Sequence, residues 1–239
     1  MKRKIINGVL IVVLVFASYQ FISIYLENKH NLKVLDEVQS VYQEANQPSE
    51  LGNTSAFAEL HKINPDITAW LTIAGTAINY PVLQAADNDT YLKTNYQGEQ
   101  ARAGSIFKDY RNTEVTPKHT ILYGHNMKDG SMFADLQKYT DAAFFKQHPT
   151  FDYDTPEASY RVEVFTVYET TTDFYYIDTD FTKPAAFAQY LQDVKKRSLY
   201  ETNVKVTDED HIITLSTCDT GFDYEKGRYV VQGKLQKKE

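Results

Sequence analysis

Hydrophobic positions change their rhythm along the chain. From Ile5 to Leu26 the run "IINGVLIVVLVFASYQFISIYL" carries no charge. It is long enough to cross a bilayer core as a helix, which needs roughly 20 apolar residues. In "NLKVLDEVQSVYQEA", Leu32, Leu35, Val38 and Val41/Tyr42 recur at helical spacing, predicting an amphipathic helix. "NQPSELGN" then breaks the pattern, and "TSAFAELHKI" predicts a short second helix with Thr54 as its N-cap. Beyond the turn "NPDI" the period shortens to strands. The segment "TAWLTIAGTAINYPVLQ", punctuated by Gly75 and Pro81, predicts two of them. Further strands are expected at 104–110, 119–126, 160–171, 204–218 with a break near Asp208, and 228–236. Between Arg161 and Tyr168 the alternation is only half-clean, as for a sheet covered fully on one side and partly on the other. Helical spacing returns in "MFADLQKYTDAAFFKQH" and in "KPAAFAQYLQDVKKRSLY". The latter puts Phe187, Tyr190, Leu191 and Val194 on one face, with Pro184 suited to the first turn. Together these elements predict one mostly-β domain, closed as a barrel, with helices at its N-terminus and in one late connection.

Composition adds location. Lys2, Arg3 and Lys4 precede the apolar run, and mixed charges (Glu27, Lys29, Lys33) follow it. The positive-inside rule then leaves residues 1–4 in the cytoplasm, 5–26 as a transmembrane signal anchor and the rest outside. A cleaved signal peptide is disfavoured, because its apolar core is shorter and Ala17-Ser18 is a poor cleavage site. Residues 27–53 are expected as a helical linker and 54–239 as the extracellular domain. The 18 tyrosines and 13 phenylalanines suit a β-rich core. A net charge of −7 offers no basic surface for nucleic acid.

An outside location sharpens the chemistry. Cys218 is the chain's one cysteine, so no intramolecular disulfide can use it. It is either a buried thiol or a nucleophile. A nucleophilic cysteine needs a base or cation beside it and donors for an oxyanion. His30 and His61 read as surface residues, His148 lies in a turn before Pro149, and His119 and His211 read as solvated residues at strand starts. His125 follows a strand and a glycine in "LYGHNM", where a side chain can project over a cleft. Arg228 opens the last strand, and its spacing from Cys218 suits two antiparallel neighbours joined by "DTGFDYEKG", with both residues at one barrel rim. Each residue taken alone also has an ordinary structural reading.

The set "YGHN", "TLSTC" and an arginine opening the last strand resembles the sortase transpeptidases of Gram-positive bacteria. "NPDITAWLTIAGTAINYPVLQ", "YLKTNYQGEQARAGSIFKDYRN" and "ILYGHNMKDGSMFADLQKY" resemble class B in particular, and the likeness covers roughly residues 35–236. It implies a closed β-barrel of about eight strands. It also implies Cys218 as the nucleophile on a threonyl carbonyl in the C-terminal sorting motif of an exported protein. His125 becomes the general acid/base and Arg228 the oxyanion donor, with neither metal nor cofactor. Matching substrate-groove positions are Asn88, Leu92, Tyr123, Thr172, Tyr176, Ile177 and Ser216, with Asp219 a further polar contact. The partners implied are a sorting-motif surface protein or pilin and an amine acceptor, from peptidoglycan or a pilin lysine. A cysteine peptidase that only hydrolyses and a non-catalytic surface binding domain are the alternatives. Papain-like proteases are disfavoured, since their cysteine precedes the histidine.

Overall fold

The computed structural model describes residues 2–45, 52–115, 117–183, 185–218 and 226–238. A single helix α1 runs from Lys2 to Ala45, so the apolar run and the amphipathic stretch after it are one continuous element. Every residue from Lys2 to Leu26 is exposed, whereas Val34, Val38 and Tyr42 are buried against the domain. Helix α2 (Gly52–Ile63) starts earlier than expected. Thr54 is therefore inside its first turn rather than the N-cap, and its hydroxyl donates to the Pro156 carbonyl at 3.2 Å.

Eight strands follow: β1 (Ile67–Thr72), β2 (Asn79–Leu83), β3 (Ile106–Lys108), β4 (His119–Tyr123), β5 (Thr150–Asp154), β6 (Ser159–Thr171), β7 (Ile212–Cys218) and β8 (Gly227–Lys237). They close a barrel in the order β1-β2-β3-β4-β7-β8-β6-β5. The pairs β2/β3 and β4/β7 are parallel and the others antiparallel. Val162, Val164, Val167, Ile213, Leu215, Tyr229 and Val231 belong to the main core, with Val34, Val38 and Tyr42 of α1 in the same cluster. The half-clean pattern of β6 has a local cause. Its register shifts between Val164 and Thr166, and this bulge changes the phase of alternation midway along the strand.

Helix α4 (Ala186–Lys195) packs on residues of β6, β7 and β8 that lie outside the main core cluster. All four residues of its apolar face are buried, in a second cluster with Tyr168, Ile212 and Val230. Each such side chain contributes about 1.5–3 kcal/mol of burial. Pro184 lies outside the described residues.

The stretch 132–148 is not one helix. A 3₁₀ segment, Ala134–Thr140, is followed by α3 (Ala142–Gln147), with a break at Asp141. That carboxylate caps α3 by accepting from the Ala143 and Phe144 amides at 2.7 and 2.9 Å. Residues 204–210 are not a strand, although Val204 and Val206 pack on the second cluster. Strand β5 was not expected from the sequence; it buries Phe151 and Tyr153 directly after α3.

Candidate active site

Strand direction assembles the site. Because β4 and β7 are parallel, with Tyr123 opposite Ser216, their C-terminal ends lie side by side. Because β7 and β8 are antiparallel, the start of β8 meets the same end, and Cys218 pairs with Arg228 along the backbone. Cys218 is described by its backbone only. Asp219 and the loop 219–225 lie outside the described residues.

A cleft of about 340 Å³ opens at this end of the barrel. His125, Arg228 and all seven groove candidates (Asn88, Leu92, Tyr123, Thr172, Tyr176, Ile177, Ser216) line it. Asp89, Phe107, Gly124, Phe174, Tyr175 and Thr217 also line it. Gly124 has no room for a side chain: an added Cβ would meet Ile106 Cδ1 at 2.4 Å and the Phe133 ring at 2.9 Å. The absence of one lets the chain leave β4 tightly and deliver His125 to the cleft.

His125 is half-buried, and its Nε2 lies 2.9 Å from the Leu92 carbonyl oxygen. A carbonyl can only accept, so Nε2–H is the donor and Nδ1 is the nitrogen left for proton exchange. Leu92 ends a 3₁₀ turn, Thr90–Leu92, so one short segment supplies both an imidazole support and a cleft wall. Arg228 is half-buried between β7 and β6, and its Nη1 donates to the Gly227 carbonyl at 2.8 Å. That contact holds the guanidinium at the strand start.

Several groove candidates expend their polar atoms on the protein itself. Ser216 and Tyr176 are both buried, their hydroxyls 2.7 Å apart. The Tyr176 carbonyl accepts from Tyr190 at 2.8 Å, and Tyr190 in turn accepts from Gln232 at 2.6 Å. Gln232 also donates to Thr214 at 2.8 Å, and Thr214 contacts His119 Nε2 at 2.6 Å. His119 Nδ1 donates to the Asp178 carbonyl at 2.7 Å. His119 is therefore not a solvated imidazole. It is 1 % exposed, and burial pushes its pKa down to about 4, only partly opposed by the Asp178 carbonyl. His211 is likewise not free in solvent: it is half-buried, with Nδ1 3.0 Å from the Pro117 carbonyl.

Sequence reasoning gave no role to Asp109 and Arg111. Asp109 is fully buried, and its carboxylate accepts from Arg111 Nε (2.8 Å), Arg111 Nη2 (2.7 Å), Tyr123 OH (2.8 Å) and Asn88 Nδ2 (3.2 Å). Burial alone would raise its pKa, but these donors and the guanidinium charge hold it below the usual carboxylate value. The signal available was "KDYRN", an acid and a base two positions apart directly after a strand.

The chain's relatives are specific. A sortase domain family model matches residues 71–236. The chain is 53 % identical to sortase B of Listeria monocytogenes, covering 97 % of this chain and 96 % of that protein. It is 36 % identical to sortase B of Staphylococcus aureus over 99 % and 98 % of the two chains. A Staphylococcus aureus sortase B–substrate complex superposes with a TM-score of 0.84 at 36 % identity, covering 90 % of this chain and 100 % of that one. Sortase B from Bacillus anthracis in complex with AAEK2 gives 0.80 at 46 % identity, over 88 % and 98 %. On a match that runs nearly end to end, the chain belongs to the sortase family, in class B, and is a cysteine transpeptidase.

Proposed function

We propose that this sortase is held in the cell membrane by residues 5–26 of α1, with residues 1–4 in the cytoplasm and the barrel outside. There it cleaves the C-terminal sorting motif of an exported surface protein after threonine and transfers the acyl group to an amine. The observation that carries this reading is the meeting of His125, Arg228 and the Cys218 backbone at one barrel end, around a peptide-sized cleft. The exposed apolar run of α1, flanked on its N-terminal side by Lys2, Arg3 and Lys4, supports the anchor.

In this mechanism the Cys218 thiolate adds to the threonyl carbonyl carbon, and the resulting oxyanion is stabilised by Arg228. The carbon–nitrogen bond breaks as protonated His125 gives its proton to the leaving amine, and a thioester remains. The acceptor amine then attacks the thioester, loses a proton to His125 and releases the thiolate. Asn88, Leu92, Tyr123, Thr172, Tyr176, Ile177 and Ser216 form the groove for the motif. A sortase B relative, 36 % identical, has been solved in complex with triglycine, which supports a short peptide amine as acceptor, in the manner of a peptidoglycan cross-bridge. A pilin lysine is the competing acceptor.

The test uses the full-length chain in detergent micelles with a pooled peptide library carrying a fixed threonine. Triglycine or a lysine side-chain amine is added in excess, and products are read by mass spectrometry. A ligated product joined through the threonine carbonyl is expected, and its preference between the amines assigns the acceptor. Hydrolysed peptide alone under these conditions overturns transpeptidation in favour of a peptidase.

A further inference from the structure

Three of the pieces of chain that wall the cleft are tied to one buried carboxylate, which touches two of them directly. Asn88 precedes the 3₁₀ turn that carries Leu92, and its amide nitrogen donates to Asp109 Oδ2 at 3.2 Å. The same side chain's oxygen accepts from the Tyr110 amide at 3.0 Å, which fixes its orientation. Tyr123, at the end of β4, donates its hydroxyl to Asp109 Oδ2 at 2.8 Å. The third wall, the segment after β6, is reached through Arg111. With Nε and Nη2 on the carboxylate, the guanidinium extends Nη1 to Tyr175 OH at 2.8 Å and Nη2 to the Ile177 carbonyl at 3.0 Å. Neither Asp109 nor Arg111 lines the cleft itself.

A planar guanidinium held on both edges of a carboxylate has little freedom, so its remaining donors point in fixed directions. The carboxylate is 0 % exposed, out of reach of the solvent that could replace a lost donor. The segment carrying Tyr175 and Ile177 is irregular between β6 and α4, and it depends on such side-chain ties for its place over the sheet.

We infer that Asp109 and Arg111 are positioning residues for the peptide groove, holding residues 88–92, Tyr123 and residues 172–177 at one spacing and thereby setting which motif side chains the groove accepts. This rests on the reading of the cleft as the sorting-motif groove. The pair touches no reacting atom, so its effect falls on binding and selectivity rather than on the chemical step.

The experiment measures steady-state ligation of the threonine-fixed peptide library to triglycine by the full-length chain and its variants in micelles. Amide hydrogen exchange over 172–178 is followed in parallel. For Arg111→Ala, KM for the preferred peptide should rise at least tenfold with kcat within threefold, the selectivity profile should broaden, and 172–178 should exchange faster. Arg111→Lys restores charge but not the fixed donors, and should recover less than half of the KM effect. Tyr175→Phe removes one tie without touching Asp109 and should give a smaller rise in KM. It keeps the test decisive if Arg111→Ala fails to fold. Unchanged KM and selectivity in Tyr175→Phe and in folded Arg111 variants would overturn the inference while wild-type ligation stands. So would a loss confined to kcat. Absence of ligation by the wild type overturns the groove reading and this inference with it.

Discussion

A single carbonyl decides which nitrogen of His125 is open for the proposed proton transfer. The Leu92 carbonyl can only accept, so Nε2 carries a proton towards it and Nδ1 is left open, the nitrogen that the proposed mechanism uses for the substrate amine. Arg228 brings a fixed, planar set of N–H donors on a cationic group, which suits it to the oxyanion of the proposed mechanism. Cys218→Ala and Arg228→Ala should therefore each lower ligation by at least about 10²-fold while thermal unfolding stays within a few degrees of wild type. Peptide ligation and circular dichroism check this, and full activity in either variant refutes the assigned site. His119 gives a prediction of a different kind. Below its ordinary value of 6.5 the unfolded imidazole takes up a proton that the folded one refuses until about pH 4. Stability is thus fully present above 6.5 and falls as pH drops towards 4, by up to roughly 3 kcal/mol across the window. Urea unfolding at pH 7 and pH 5 should show this loss, and His119→Gln should flatten it. An identical slope in the variant would mean that the proton uptake lies elsewhere.

At the scale of elements, the barrel end depends on which strands lie parallel, and that was only partly visible in the residues. The apolar face of α4 was legible, because Phe187, Tyr190, Leu191 and Val194 repeat at helical spacing and nothing competes for them. The neighbourhood of Cys218 and Arg228 was legible too, since a short loop between two alternating runs implies an antiparallel pair. The nearness of His125 to that pair was not given by spacing. It depends on the parallel β4/β7 contact across a long connection, and the resemblance to sortases supplied it. Strand β5 escaped notice because it follows α3 with no more than Pro149 to mark its start, and it offers only Phe151 and Tyr153 as inward residues. Residues 204–206 misled in the opposite sense: their valines cover a cluster without joining a ladder. The buried chain from Tyr176 through Tyr190 and Gln232 to Thr214 shows what α4 does for the site. Tyr190→Phe removes the hydroxyl that serves both the Tyr176 carbonyl and the Gln232 amide. It should cost about 1–3 kcal/mol in urea unfolding, with weaker peptide binding as the 172–178 segment loosens. A neutral result would show that the segment is held by its other contacts alone.

Over the whole molecule, α1 is both the apolar rod and part of the domain's core. Beyond the exposed run, Arg102 meets the Glu27 carboxylate at 3.1 Å and His30 meets Glu99 at 2.6 Å, both near the start of the folded body. Further along, Gln39 donates to the Asn79 carbonyl at 2.7 Å. Tyr42 stacks on Trp70 with ring centroids 4.1 Å apart and planes 4° from parallel. Its hydroxyl donates to Asp154 Oδ2 at 2.7 Å, and Asp154 is 9 % exposed. The helical period of this stretch could be read from Leu32, Leu35 and Val38, but its docking could not, because Trp70 and Asp154 approach it only once the barrel has closed through β1 and β5. The consequence can be measured by truncation. A chain beginning at residue 54 exposes Trp70 and strips the donor from Asp154, whereas a chain beginning at residue 27 keeps both contacts. The shorter chain should unfold at least about 3 kcal/mol more easily, in the range of a large aromatic deleted from a core. In the full-length protein Tyr42→Phe separates the two contributions. It retains the stack, leaves the carboxylate without its phenolic donor and should cost about 1–3 kcal/mol, with Tyr42→Ala costing about 3–5 kcal/mol. Equal stability of the two truncated chains would show that α1 serves the domain only as a tether, and that its buried face contributes nothing to the barrel it covers.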